Sequence, residues 1–104
     1  MREGLYVATY GLAHRLDGRG YAVACGGRLY CINPMQGFAG SYVVLGQRIM
    51  GTVRLIHQLD AVPRKGNIVV NFDGRIEGPT VIIDGSAKDP GALPFHAIMT
   101  WISA

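Results

Sequence analysis

The chain has few charges, few cysteines and no long hydrophobic run. Charged residues make up 16% of its 104 residues and hydrophobic ones 49%, the reverse of the balance that keeps a chain disordered. No apolar stretch approaches the roughly 20 residues of a membrane-spanning helix. Met1-Arg2-Glu3 leads directly into the mixed segment Gly4 to Leu12, which lacks the apolar core of a secretory signal. A soluble cytoplasmic protein is expected. Clustered charge is missing too: eight Arg and two Lys stand against five Asp and two Glu, spread along the sequence to a formal net charge of +3. Nucleic-acid binders usually gather their basic residues into a stripe, so no nucleic-acid partner is expected.

Motifs that carry chemistry are equally sparse. Ser41, His57 and Asp60 are the residue types of a catalytic triad, but no strand-to-helix elbow or oxyanion glycine pattern surrounds Ser41. His14, His57 and His96 lie far apart without ligand spacing, and they read as surface histidines without a metal or cofactor. Asp17, Asp73 and Asp84 each precede a glycine, which is turn chemistry, so these carboxylates are expected to bond their own backbone. Glu77 and Asp89 also sit beside turn residues, which argues against an acid and base pair. Gly26-Gly27-Arg28 lacks the helix start and Gly-Lys-Ser/Thr of a phosphate loop. No enzymatic activity is expected.

Glycine is what the chain has in quantity. Fifteen of them cut it into short alternating runs. Asp17-Gly18, Gly26-Gly27 and Asp73-Gly74 supply the positive φ angles of tight hairpins where they separate two such runs. Strands are predicted over Gly4 to Tyr10, Gly20 to Cys25, Arg28 to Ile32, Gly40 to Leu45, Arg48 to His57, Asn67 to Asp73, Thr80 to Ser86 and Phe95 to Ile102. About eight strands at this spacing make an all-β antiparallel up-and-down barrel, a single domain over residues 1–104. Alternation places Ile68, Val70 and Phe72 inside, with Leu5 and Val7, and with Val81, Ile83 and Gly85. With Gly26-Gly27 as the turn, Cys25 pairs with Arg28 and Cys31 with Ala22. The two sulfurs then point to opposite faces and form no disulfide.

The last run is apolar on both sides, because Phe95, Ala97, Met99 and Trp101 interleave with Ile98 and Ile102. Pro94 could open a helix there, but Phe, Thr, Trp and Ile favour a strand. Its outer side, with Ile98 and Ile102, is the expected interface of a homodimer. Two irregular stretches, Asn33 to Ala39 and Gln58 to Gly66, are candidate binding loops, and the second carries Pro63 with the basic doublet Arg64 and Lys65. A carrier of one small apolar, lipid-like ligand is the alternative to a protein-binding role. An eight-stranded barrel lies at the border between a filled interior and room for one ligand. Gly51 and Ala97 would make that room, and Phe72, Phe95 and Trp101 would fill it.

Gly4-Leu5-Tyr6, Gly26-Gly27-Arg28-Leu29, Gly40-Ser41-Tyr42, the stretch Val69 to Gly74 and the ending Pro90 to Ala97 together give the chain a family resemblance. It resembles the GrlR-type family of small bacterial proteins, whose named member is a negative regulator of type III secretion. The resemblance implies a calycin-like β-barrel that dimerises and represses indirectly, by occluding a helix-turn-helix transcription activator. Two departures stand out. Relatives tend to show Arg-Gly-Gly-Asp where this chain has Tyr30-Cys31-Ile32-Asn33, and the acidic run before the fifth strand is replaced by Leu45-Gly46-Gln47-Arg48. Activator binding through an acidic patch is therefore not carried over.

Overall fold

The structure, a computed structural model, describes residues 1–12, 18–32, 36–57, 68–87 and 94–104. Eight strands, β1 (Gly4–Leu12), β2 (Gly18–Cys25), β3 (Arg28–Ile32), β4 (Gln36–Leu45), β5 (Arg48–His57), β6 (Ile68–Glu77), β7 (Thr80–Ala87) and β8 (Phe95–Ser103), follow one another around a closed antiparallel barrel. β8 closes it by pairing with β1, from Leu12 opposite Phe95 to Leu5 opposite Ser103, with a bulge between Leu5 and Tyr6. Among the described residues none is helical, so no helix is long and apolar enough to cross a membrane.

Two-residue turns join strands at one end. Gly26 and Gly27 take φ of 59° and 77°, a left-handed pair that L side chains resist and whose twist matches that of the flanking strands. The resulting register places Cys25 opposite Arg28 and Ala22 opposite Cys31. Cys25 is exposed, Cys31 is buried and both are free thiols. Gly46-Gln47 and Gly78-Pro79 make the other two tight turns.

Asp73-Gly74 is not a turn, although that dipeptide favours one. It lies inside β6, where Asp73 pairs with Asp84 and Gly74 with Ile83. Gly74 is small because the chain of β7 runs close above it: a Cβ there would stand 3.0 Å from the Ile82 carbonyl carbon. β6 therefore continues to Glu77, and Asp84 lies within β7, so neither aspartate is a turn residue. β4 likewise begins at Gln36, four residues before Gly40. Asp17 lies outside the described residues, and Gly18 opens β2.

The interior follows the expected alternation on β6, β7 and β8: Val70, Phe72, Val81, Ile83, Phe95, Ala97 and Met99 are all buried. β1 is reversed. Tyr6, Ala8 and Tyr10 are buried, whereas Val7 is 44% exposed and Leu5 is half-buried. Volume accounts for this phase, since two tyrosines fill more of an eight-stranded interior than Leu5 and Val7 would. Their hydroxyls find partners, Tyr6 donating to the Arg2 carbonyl and Tyr10 sharing a hydrogen bond with the Cys31 thiol. Among the described residues no buried side-chain nitrogen or oxygen lacks a partner.

Large rings sit opposite small residues. Phe72 is flanked by Gly51 on β5 and Gly85 on β7, and Tyr10 by Gly18 on β2 and Ala97 on β8. Tyr10, Phe38 and Phe95 form the central cluster, with Phe38 edge-on to Tyr10 at 5.4 Å and to Phe95 at 6.0 Å between ring centroids, the arrangement that aligns ring edges with ring faces. A Cβ on Gly51 would meet the Ser41 carbonyl, and would lie 2.8 Å from Phe72 Cζ and 2.9 Å from Tyr42 Cα. Two of those neighbours are backbone and cannot swing away. Gly51→Val is expected to cost about 2 kcal/mol or more through overpacking, read as a lower urea midpoint at unchanged slope.

Candidate binding surfaces

The residues expected to line the barrel interior are brought together around its core. Phe72, Phe95 and Ala97 belong to the buried core, and the space beside Gly51 holds the Phe72 ring. Trp101 lies at the end of the barrel, half-buried against that core. There the first residues cross the mouth. The Trp101 indole N–H donates to the Glu3 carbonyl at 3.2 Å, and the Arg2 guanidinium stands 4.0 Å above the indole ring. The Glu3 carboxylate accepts from the Gly26 N–H at 2.9 Å, which ties the segment to the β2–β3 turn.

The outside divides into three faces. The first runs over β2, β1 and β8, where cross-strand pairs set Tyr21 against Val7, Val23 against Leu5, and Thr9 against Ile98. Tyr21 is 61% exposed, Ile98 38% and Ile102 46%. The outward positions between them, Leu5, Val7, Thr9, Val23 and Thr100, carry no charge, and Arg19 and His96 bound the face at one end. The two interface residues read from the sequence, Ile98 and Ile102, thus sit on a broader apolar face to which β1 and β2 also contribute. Leu5, Val7 and Val23 were missed as outward residues because alternation gives a period and not which half of it faces in.

The second face is polar and lies across β6, β7 and β8. Asp73 stands opposite Asp84, and Asp84 opposite His96. His96 Nδ1 lies 2.6 Å from Asp84 Oδ1, so His96 is a partnered side chain at the surface. Among the described residues no group of three His, Cys, Asp or Glu side chains is arranged to hold a metal ion. Sequence reading missed this row because it ended β6 at Asp73. Gly78-Pro79 as the turn would have counted Asp73 opposite Asp84 directly.

A third face lies over β3, β4, β5 and β6. One cross-strand row runs Arg28, Ser41, Thr52, Asn71, and Arg54 falls in a neighbouring row between Ala39 and Val69. Arg28, Ser41, Thr52 and Arg54 border a shallow depression of about 290 Å³, and Asn71 stands at the end of the row, next to Thr52. Ser41 is exposed here on the outer side of β4, whereas the side chains of His57 and Asp60, like His14, Asp89 and the candidate loop residues Pro63, Arg64 and Lys65, lie outside the described residues. Glu77 ends β6 and pairs with Arg75 at 3.3 Å.

Fold and surface define a class: a small closed antiparallel barrel with an apolar core, whose described outer wall carries differentiated chemistry. No family model matches the chain, and no curated protein matches its sequence.

The two thiols give a direct check on interior and exterior. Burial raises the Cys31 pKa above its ordinary 9.0, opposed in part by the hydrogen bond with Tyr10. Burial likewise raises Tyr6 and Tyr42 above 10.0. These groups hold their protons more tightly folded than unfolded. Their contribution is complete below the unfolded values and is lost as pH rises through the folded ones. A thiol reagent is expected to modify Cys25 in the folded protein and Cys31 only after denaturation, as mass spectrometry of the labelled protein would show. The urea midpoint is expected to fall as pH rises past about 9, less steeply in Cys31→Ala.

Proposed function

We propose that the chain is a non-catalytic binding protein of a bacterial cytoplasm that works as a homodimer and acts by occluding a protein partner. The observation that carries this reading is the uncharged outer face of β2, β1 and β8. A row of Tyr21, Val7 and Thr100 crosses three strands there, with Val23 and Ile98 exposed on either side. Exposed apolar faces of this extent mark interaction sites. A second copy is the occupant proposed here, because an uncharged face is self-complementary under a two-fold axis and brings no like charges together. With strands about 4.8 Å apart and residues about 3.3 Å apart, three strands by five residues give roughly 240 Å² in projection, or about 480 Å² for two copies. A specific interface needs ~1,000 Å² in total, so side-chain relief and residues bordering these three strands must join the contact.

The resemblance to GrlR-type negative regulators of type III secretion supports occlusion of a transcription activator as the mode of action, with no reaction catalysed. The acidic contact of that family has no counterpart in the β4–β5 connection, which is the two-residue turn Gly46-Gln47. The partner would therefore be engaged elsewhere on the wall.

Sedimentation velocity at micromolar concentration is expected to show a dimer. Ile98→Glu is expected to give a monomer with unchanged far-UV circular dichroism, because the carboxylate would be buried unpaired in the interface and solvated in the free barrel. A wild type that sediments only as monomer would remove the dimer.

A further inference from the structure

A closed barrel has no free strand edge on which a partner could add a strand, so among the described strands recognition falls to outward side chains. Three faces offer them, and the β3–β6 face combines a depression with two arginines and no carboxylate among its described lining residues. Arg28 and Arg54 both border that depression, over a low floor made by Ala39 and Gly40. Among the described residues no carboxylate pairs with either arginine. Glu77 is taken by Arg75, and Asp84 pairs with His96. The Arg28 guanidinium lies 5.9 Å from the centre of the Tyr30 ring, a contact that steers it without satisfying its donors.

The hydrogen-bonding groups between the arginines point the same way. Thr52 Oγ1 donates to Asn71 Oδ1 at 2.9 Å, which occupies the amide oxygen and leaves the amide N–H groups as donors at the end of the row. The Ser41 hydroxyl, exposed between Arg28 and Thr52, adds another. A surface of two guanidinium forks and neutral donors fits carboxylates, which accept two parallel N–H bonds from an arginine. Val69 and Val43, 38% and 59% exposed, lie on the same outer wall and suit apolar neighbours in a peptide.

We propose that this depression binds an acidic segment of a protein partner, with Arg28 and Arg54 each taking a carboxylate, Ser41 donating between them and Asn71 donating at the end of the row. The inference rests on the protein-binding reading above and names the chemistry of the partner. A nucleic-acid strand is the poorer fit. Two arginines neutralise too few phosphates to hold a backbone, and a strand continuing along the row would meet Asp73 and Asp84 on the adjoining face.

The test is a fluorescence-anisotropy titration of the full chain with a short labelled oligoglutamate, beside an oligothymidylate of equal charge. Saturable binding of oligoglutamate is expected, tighter than that of oligothymidylate. Arg28→Gln with Arg54→Gln should weaken it by about tenfold or more, and Arg75→Gln, one positive charge removed outside the depression, by no more than about twofold. Three results would overturn the proposal: no saturable oligoglutamate binding up to about 1 mM, equal losses from Arg75→Gln and the double variant, or tighter oligothymidylate binding that depends on the same two arginines. The double variant is expected to sediment and unfold as the wild type does. A wild type that sediments only as monomer with the titration intact would instead count against the dimer alone.

Discussion

Everything in this barrel depends on fitting aromatic rings into a cylinder only eight strands wide. Such a cylinder is just wide enough for side chains to fill. A ring as large as Phe72 can enter only where both flanking strands withdraw their side chains, and Gly51 and Gly85 do so. Gly18 and Ala97 make the same concession to Tyr10. Tyr10, Phe38 and Phe95 then meet at the centre. Protein interiors tolerate neither voids nor overlap, so the positions of the glycines and of the rings are one constraint seen from two sides.

Closure follows from that packing and shapes what the wall can do. With every strand paired on both sides, the backbone is used up in the barrel and offers no edge. The differences between one face and another are then differences in outward side chains alone: an uncharged apolar field on β2, β1 and β8, a row of Asp73, Asp84 and His96, and the arginine-bordered depression on β3 to β6. A dimer formed through the first would leave the third, on strands away from it, open to another partner.

Much of this was legible in the residues. Strict alternation in β6, β7 and β8, and the Gly26-Gly27 pair with its register, follow from a period of two and from the φ angles only glycine takes easily. Three readings failed for identifiable reasons. Asp73-Gly74 has turn composition, but Gly74 answers to the close passage of β7, a long-range contact with no local signature. The phase of β1 turned on whether two tyrosines or Leu5 and Val7 fill the interior, which depends on the volume left by the other strands. The start of β4 at Gln36 is set by its pairing with His57, far along the chain.

By itself the sequence determined the number of strands, their order and the two faces of most of them, because alternation and turn glycines are properties of neighbouring residues. It also determined that Cys25 and Cys31 lie on opposite sides of their hairpin. Only the tertiary structure decided that Arg28, Ser41, Thr52 and Asn71 share one row, that Asp84 faces both Asp73 and His96, and that Val7 joins Tyr21 on the outer wall. Each of those outcomes depends on register, and register around a closed barrel is fixed by all eight strands at once.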